Sequence, residues 1–321
     1  MNLPGKILPG TLHRVEAHVS MRQAGAINPA LPRRFILGTR ATVRRHDAAT
    51  KQRTTDWQRK MALKLAISGK GGVGKSTLAA MFAHLAVADG HRVLAIDADP
   101  DANLAAALGM PEHDRRKLVP LVERTALIEQ RTGAKVKQYG QVFKLNPDVS
   151  DIAEQESGCF RGIHILVLGA IERAGSGCAC PESVLLRSLL MDVVLYKDDF
   201  VILDLEAGLE HLGRATAQGI DLMLVVVEPG RRAVETADTI RTMAAELGIK
   251  RCAVVGNKVT CDRDSLFLEE ALAGYEYLGS LPFSETIRRA DRDGLVLTDT
   301  ADEELAARFR TLWEKIGQCS R

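Results

Sequence analysis

The sequence has few aromatic side chains and no apolar segment of membrane-spanning length. Phe, Trp and Tyr make up 4% of its 321 residues, whereas apolar residues together make up 46%. A sizeable core is therefore available, and the small side chains that dominate it suit close packing of helices on a sheet. Because no run of eighteen uncharged apolar residues occurs, the sequence predicts no transmembrane helix.

Cysteine and net charge are also low. Six cysteines in a chain of this length do not form the dense framework of a disulfide-stabilised secreted domain. The formal net charge of +2 conceals an uneven distribution, since residues 1–60 hold 12 Lys and Arg against 3 Asp and Glu. The remaining residues carry a net charge of −7, which gives no electrostatic argument for a nucleic-acid partner.

Residues 1–60 show no sustained hydrophobic periodicity and contain four prolines. We interpret them as a basic extension, either disordered or preceding a true start at Met61. An organelle transit peptide and a basic nucleic-acid-binding tail are alternatives. Neither amphipathic periodicity nor interleaved aromatic residues support those alternatives.

The most informative motif is the glycine-rich segment Gly69–Ser76, which follows the apolar run 63–67 and precedes a helical pattern. It matches the phosphate-loop pattern G-x-x-x-x-G-K-[ST] in the strand–loop–helix context that the pattern requires. Glycines let successive N–H groups surround a phosphate, while Lys75 adds a charge and Ser76 a hydroxyl for Mg²⁺. The residues that we expect to contact nucleotide are Gly71, Gly72, Val73, Gly74, Lys75, Ser76 and Thr77.

A second lysine in this loop, Lys70, is not needed to bind nucleotide within its own subunit. The form K-G-G-x-G-K-[ST] resembles the deviant phosphate loop of the MinD, ParA and nitrogenase iron protein class. In that class the lysine reaches across a dimer interface to the partner's nucleotide, where a second cation stabilises the transition state. The resemblance implies an ATPase that works as a homodimer, with Lys70 and Lys75 as catalytic residues.

Strand and helix patterns alternate from Met61 onwards, and several strands are continuous apolar runs that suit burial on both faces of a parallel sheet. This alternation predicts an α/β fold: a single P-loop NTPase domain over 61–321 with a doubly wound, mostly parallel sheet flanked by helices. The predicted strands are 62–67, 92–96, 163–168, 200–203, 222–227, 251–255 and, more weakly, 277–281. The predicted helices are 75–88, 112–130, 182–195, 231–247, 264–272 and 302–317.

Carboxylates follow two of these strands, where a parallel sheet places its ligands. Asp97 and Asp99 follow the second strand, and Asp204 ends a Walker B pattern in which carboxylate oxygens bind Mg²⁺. The resemblance makes Asp99 the residue that positions or deprotonates the attacking water. Helix capping is the alternative role of such residues.

Asn257 follows a later strand in the run Asn-Lys-Val-Thr and resembles the base-contacting Asn of the same class. GTPases place an Asp two residues after the Lys, where this chain has Thr260. The missing carboxylate favours adenine, so we expect ATP with Mg²⁺ as the bound nucleotide.

Two cysteines, Cys178 and Cys180, stand on one predicted turn. Thiolates at i and i+2 can form one edge of a tetrahedral site, and two such turns facing each other in a dimer would supply four sulfur ligands. Such ligands suit Zn²⁺ and Ni²⁺. Standing alone, the C-x-C pattern is also compatible with idle thiols.

The deviant loop, Asp97-Ala-Asp-Pro, Asp204-Leu-Glu-Ala-Gly and the C-x-C turn together resemble the CooC family of nickel-insertion ATPases. The resemblance covers 61–321 and implies that Ni²⁺ or Zn²⁺ binds between subunits at Cys178 and Cys180. It further implies a carbon monoxide dehydrogenase apo-enzyme as partner. The low cysteine content together with a nucleotide site makes a reducing cytoplasm the expected compartment. A positioning ATPase acting on membrane or nucleoid, and an iron–sulfur electron donor, are alternative functions.

Other candidates carry less information. We expect Cys159 to lie in a loop as a free cysteine, with an extra thiol near the metal as the alternative, and Cys252 to lie in a core strand. His164 and His211 are possible metal ligands by residue type, but we expect hydrogen-bonded structural roles for both. The last helix, 302–317, has one apolar stripe with mixed charges around it, which predicts packing on the domain rather than on a membrane.

Overall fold

The computed structural model describes residues 63–136, 138, 140–169, 180–196, 200–207, 209, 212 and 214–319. The predictions for residues 1–60, for Cys178 and for His211 lie outside these described residues. No helix within them is long and apolar enough to cross a bilayer.

Eight strands form one sheet, in the order β3-β4-β2-β5-β1-β6-β7-β8. All neighbours run parallel except β3 and β4, which run antiparallel. The mostly parallel, doubly wound sheet predicted from the sequence is therefore confirmed. The strands are β1 (Lys64–Gly69), β2 (Val93–Asp97), β3 (Gly158–Phe160), β4 (Ile163–Val167), β5 (Phe200–Asp204), β6 (Leu222–Val227), β7 (Cys252–Val259) and β8 (Glu276–Pro282).

Helices pack on both faces of the sheet. They are α1 (Lys75–Ala88), α2 (Leu104–Ala107), α3 (Glu112–Arg115), α4 (Thr125–Thr132), α5 (Ile152–Gln155), α6 (Pro181–Tyr196), α7 (Arg214–Gln218), α8 (Arg231–Leu247), α9 (Asp262–Ala271), α10 (Glu285–Asp293), α11 (Leu297–Thr300) and α12 (Glu303–Cys319). A single 3₁₀ turn, Leu121–Glu123, is also described.

The central strands are buried on both sides, which explains their continuous apolar runs. Leu65 and Ile67 of β1 join the cluster formed with α1 and α12, while Ala66 joins the cluster formed with α6 and α8. The sheet thus separates two apolar layers, and its polar groups emerge at the strand ends.

The predicted helix 112–130 is wrong as a single element. The chain forms α3, then the 3₁₀ turn, then α4. Pro120 lies between them; it lacks an N–H donor, and it disfavours helical backbone at Val119 before it. Several short helices, together with α10, were not predicted.

The apolar stripe of α12 is covered by the domain, as predicted. Phe309 and Ile316 are fully buried, and Phe82 of α1 stacks near Trp313 with ring centroids 6.0 Å apart. Asp89 accepts a hydrogen bond from the Trp313 indole at 2.7 Å and two from Arg310 at 2.9 Å. Helix α12 is therefore fixed to the core by both apolar and polar contacts.

Candidate functional site

The register of the central strands brings the predicted carboxylates together. Asp97 at the end of β2 lies beside Asp204 at the end of β5. Asp204 is in turn the register partner of Ile67 in β1, the strand that leads into the phosphate loop. Three segments far apart in sequence therefore meet at one edge of the sheet, as expected for a doubly wound fold.

The phosphate loop needs glycine at two tight points. Gly74, with a φ of 99°, is the residue before α1, and a Cβ there would lie 2.4 Å from Nδ2 of Asn257. Gly69 has a φ of 153°, and a Cβ would lie 2.5 Å from the Val226 carbonyl oxygen. Only glycine fits both the backbone conformation and the space. The N-terminus of α1 consequently opens directly into the loop, where it favours an anion.

The two loop lysines differ in their surroundings. The side chain of Lys75 is 7% exposed, and its Nζ lies 3.5 Å from Oδ2 of Asp99. The side chain of Lys70 is 40% exposed, and its Nζ lies 3.5 Å from Oε1 of Glu228. Lys75 thus faces the interior of the site, whereas the Lys70 side chain lies at the surface and is accessible to a second molecule.

Asp204 is the clearest candidate ligand for Mg²⁺. The residue is fully buried, and neither carboxylate oxygen has a hydrogen-bond partner among the described residues. Burial raises its pKa to about 6; the nearby Ser76 hydroxyl and Lys75 ammonium oppose the shift, although Ser76 makes no hydrogen bond of good geometry with it. An uncompensated buried carboxylate beside a hydroxyl fits a hard divalent cation, which would restore the ionised form.

Unlike Asp204, Asp97 accepts hydrogen bonds from backbone N–H groups of the same chain. Its Oδ2 accepts the Leu104 N–H at 2.8 Å and its Oδ1 accepts the Asp99 N–H at 3.2 Å. Burial raises the pKa of Asp97 to about 7, the two N–H groups lower it, and the charge of Asp204 raises it further. Asp97 therefore shapes the segment that carries Asp99, in addition to lying next to the cation position.

Asn257 and Lys258 hold the phosphate loop from β7. Asn257 is buried and donates from Nδ2 to the Val73 carbonyl at 2.7 Å, while Lys258 donates from Nζ to the Gly72 carbonyl at 2.5 Å. Lys258 has a left-handed backbone with a φ of 60°, at an irregularity in the β7–β8 pairing. Contact between Asn257 and adenine stays a prediction. The side-chain carbonyl oxygen of Asn257 is the atom that would accept a hydrogen bond from the base.

Sequence reasoning missed the contribution of Lys258. It lies 186 residues from the carbonyl that it binds, and nothing local in the sequence indicates that pairing. The adjacent Asn257 was the only available signal, because it marked the end of a strand in the same sheet.

One of the two paired cysteines can be located. Cys180 directly precedes α6, with Pro181 as its first residue, a position that suits proline. The Cys180 sulfur lies 2.9 Å from the Ser183 hydroxyl and accepts the Ser183 N–H at 3.4 Å. The Cys180 sulfur is thus held at the N-terminus of α6 by its contacts with Ser183.

Of the remaining cysteines, Cys319 is buried, Cys252 is partly buried, and the other two are exposed. Burial raises the pKa of Cys252 to about 11, and burial with a hydrogen bond to Glu276 raises that of Cys319 to about 12. These two thiols are consequently unreactive. Cys159 and Cys261 are exposed. The predicted loop at Cys159 is wrong, because the residue lies in β3 and pairs with β4.

The fold and the phosphate site define a P-loop nucleoside triphosphatase. Residues 64–297 match the family model of the CobQ/CobB/MinD/ParA nucleotide binding domain. A chain of the MinC:MinD cell division protein complex of Aquifex aeolicus superposes with a TM-score of 0.58 at 19% identity, over 80% of this chain and 96% of that one. The cell division ATPase MinD of Pyrococcus furiosus superposes with a TM-score of 0.55 at 22% identity, over 80% and 99%.

Two proteins that match in sequence share more identical residues with this chain than the two solved structures do. The chain is 42% identical over 258 residues to the carbon monoxide dehydrogenase accessory protein CooC of Rhodospirillum rubrum, covering 79% of this chain and 98% of the relative. It is 43% identical over 232 residues to an uncharacterized ATP-binding protein of Methanocaldococcus jannaschii, covering 71% and 88%. The chain therefore belongs to the CobQ/CobB/MinD/ParA family of nucleotide-binding proteins, as a CooC-type member, and it is an ATPase.

Proposed function

We propose that this ATPase is a nickel metallochaperone that dimerises around nucleotide and inserts nickel into carbon monoxide dehydrogenase. The observation that carries the proposal is the 42% identity to the Rhodospirillum rubrum accessory protein, 98% of whose length is covered. The cysteine pair at 178 and 180 supplies chemistry suited to that role, because thiolates bind borderline-soft cations such as Ni²⁺ and Zn²⁺.

In the proposed cycle, ATP binds through the loop amides and Lys75. Lys75 then exchanges Asp99 for the phosphates, which frees the Asp99 carboxylate to orient the attacking water. Ser76 and Asp204 would hold Mg²⁺, which neutralises charge on the phosphates when bound. Lys70 would reach the nucleotide of the partner subunit, since its own contact with Glu228 is long and open to solvent.

The nickel cargo would bind on the dimer axis. A single chain supplies two cysteine sulfurs, whereas a closed tetrahedral site needs four ligands. Cys178 and Cys180 from two chains would complete it, so cargo affinity would depend on how ATP sets the spacing of the subunits. Hydrolysis would loosen the site close to the apo-enzyme, in a reducing cytoplasm that keeps thiols free.

Metal analysis combined with mass measurement tests the cargo site. Protein starting at Met61 is loaded with Ni²⁺ or Zn²⁺ with and without ADP or ATP, as wild type and as Cys178→Ser and Cys180→Ser. We expect one metal ion per nucleotide-bound wild-type dimer, and loss of this ion in both variants with ATP binding unchanged. Cys261→Ser, which removes an exposed thiol outside the cysteine turn, is the matched control.

Two results would contradict the proposal. Undiminished nucleotide-dependent metal binding by both variants would rule out Cys178 and Cys180 as the cargo site. If the protein stayed monomeric under every nucleotide and metal condition, a metal site shared between two chains would be ruled out.

Activation of nickel-free carbon monoxide dehydrogenase tests the target. Wild type with ATP and Ni²⁺ should activate the apo-enzyme, and Cys180→Ser should not. ATP-gated binding to vesicles or DNA that persists in Cys180→Ser would instead support a positioning ATPase. The burial of the α12 stripe argues against a membrane-binding role for that helix.

A further inference from the structure

A cysteine and a histidine stand opposite each other on the edge hairpin formed by β3 and β4. Cys159 is the register partner of His164 in this antiparallel pair, and both residues are exposed. Side chains directly opposite each other on neighbouring strands point to the same face, with Cβ atoms about 5 Å apart. A thiol and an imidazole therefore share one patch of solvent-exposed surface.

The hairpin turn fixes this pairing. Arg161 and Gly162 both have left-handed backbones, with φ of 50° and 81°, as a two-residue type I′ turn requires. Arg161 also forms a two-fold contact with the Asp299 carboxylate, at 2.8 and 2.7 Å. Since a tight turn sets the register of its strands, Cys159 and His164 face each other in the folded chain.

The imidazole of His164 is oriented by a neighbour. Its Nδ1 lies 3.2 Å from the hydroxyl oxygen of Ser157, which precedes β3. When Nδ1–H donates to that oxygen, Nε2 carries the lone pair that a metal ion needs. Metal-binding histidines are commonly held in this way by a second partner on the other ring nitrogen.

We propose that Cys159 and His164 form a second metal site, which binds a borderline-soft divalent cation such as Zn²⁺ or Ni²⁺. A thiolate and an imidazole are the ligands that such cations prefer. Among the described residues, no group of three or more His, Cys, Asp and Glu side chains is suited to hold a metal ion. The pair therefore supplies two protein ligands, and the proposal assigns the remaining coordination positions to water.

This site uses different ligands from the cysteine turn, and both of its protein ligands come from one chain. His164 pairs with Leu94, three residues before Asp97 along β2, so it lies below the strand ends that bind nucleotide. The proposed cargo site at Cys178 and Cys180 and this hairpin site can therefore be tested apart.

Cobalt binding to a Cys178→Ser/Cys180→Ser chain tests the proposal. This background removes the shared site, and thiolate-to-cobalt charge-transfer absorption reports any remaining cysteine ligand. We expect one Co²⁺ per chain with that absorption, displaced by Zn²⁺. Adding Cys159→Ser should abolish the absorption, and adding His164→Gln should weaken Zn²⁺ affinity at least about tenfold in competition with a chromogenic chelator.

Two further variants test whether the metal ion binds specifically at Cys159 and His164. Ser157→Ala should weaken Zn²⁺ binding about tenfold while keeping the absorption, because only the imidazole orientation is lost. Cys261→Ser should change neither. An absent cobalt–thiolate absorption, its survival in Cys159→Ser, or a Zn²⁺ affinity unaffected by His164→Gln would each overturn the proposal. None of these results depends on whether the chain delivers nickel to an enzyme.

Discussion

The nucleotide end of the sheet and the cysteine turn are built in opposite ways. The nucleotide site draws on β1, β2, β5 and β7, and its charged groups are buried against one another. The cysteine turn, as far as it is described, is one sulfur at the start of α6 with bonds only to Ser183. The first site holds its nucleotide-binding residues within a single chain, whereas the second would, in the proposed function, supply half of a coordination shell.

This difference shows how one chain can couple two events. In the proposed function, nucleotide binding needs no partner, whereas hydrolysis and metal binding would both require a second copy, through Lys70 and through the cysteines. A dimer that forms only with nucleotide would then make tight metal binding conditional on ATP. Substitutions at the nucleotide site can test which of these steps one chain performs and which steps require two.

The largest effect is expected from Lys70→Ala. ATP hydrolysis should fall about 1000-fold, because a cation supplied across an interface stabilises the transition state, while ATP affinity changes little. Phosphate release and nucleotide titration measure the two quantities. Mixing Lys70→Ala with Lys75→Ala chains should restore hydrolysis, since one site in each mixed dimer keeps both lysines. Absence of any rescue on mixing would place Lys70 in its own subunit's site.

A second large effect is expected from Lys75→Ala. ATP affinity should fall about 100-fold, which corresponds to roughly 3 kcal/mol for a buried charged hydrogen-bonding group. The loss should appear equally in monomeric and dimeric protein, measured by calorimetric titration. Lys250→Ala, at an exposed position, is the control. Unchanged ATP affinity would contradict the assignment of the phosphate loop.

The pH dependence of stability should change in Asp204→Asn. Burial raises the pKa of Asp204 from 3.8 to about 6, so the folded state binds this proton more tightly than the unfolded state. Stability is therefore lost as pH rises from about 4 through 6. Without nucleotide or Mg²⁺, the free energy of unfolding of the variant should exceed that of wild type by about 3 kcal/mol at about pH 8 and should equal it at about pH 4.

Urea denaturation at both pH values measures this difference. Glu270→Gln, which removes an exposed carboxylate, should leave the stability at both pH values unchanged. The same Asp204→Asn protein should lose Mg²⁺-dependent ATP binding. A variant that is destabilised at about pH 8 would show that the buried carboxylate is already compensated in the nucleotide-free chain.

The smallest effect is expected from Lys258→Met. Loss of the bond to the Gly72 carbonyl should weaken ATP binding about fivefold, or roughly 1 kcal/mol. Methionine keeps an unbranched side chain, one atom shorter and without the charge, and meets the same backbone strain at φ 60°. Calorimetric titration gives the affinity, and hydrolysis at saturating ATP should stay near wild type. An equal loss of hydrolysis at saturation would indicate a direct role in the reaction.

The alternation of apolar strands and helices was sufficient to predict the sheet and its ligand-binding edge. Errors came where single residues override periodicity. Pro120 divided the helix predicted over 112–130, and the short strand around Cys159 was too brief to give an alternating pattern. Helix α10, with few apolar residues in the run 285–293, offered little hydrophobic signal.

The sequence by itself determined the phosphate loop and the positions of Asp204 and Cys180, because each belongs to a contiguous pattern tied to local backbone geometry. Only the tertiary structure decided that Lys258 supports the loop, that Asp99 meets Lys75, and that Cys159 faces His164. These pairings depend on strand register and on which strands are neighbours, and both are set by burial of the two apolar layers. No local pattern carries that information, since the partners are joined through the packed sheet and not along the chain.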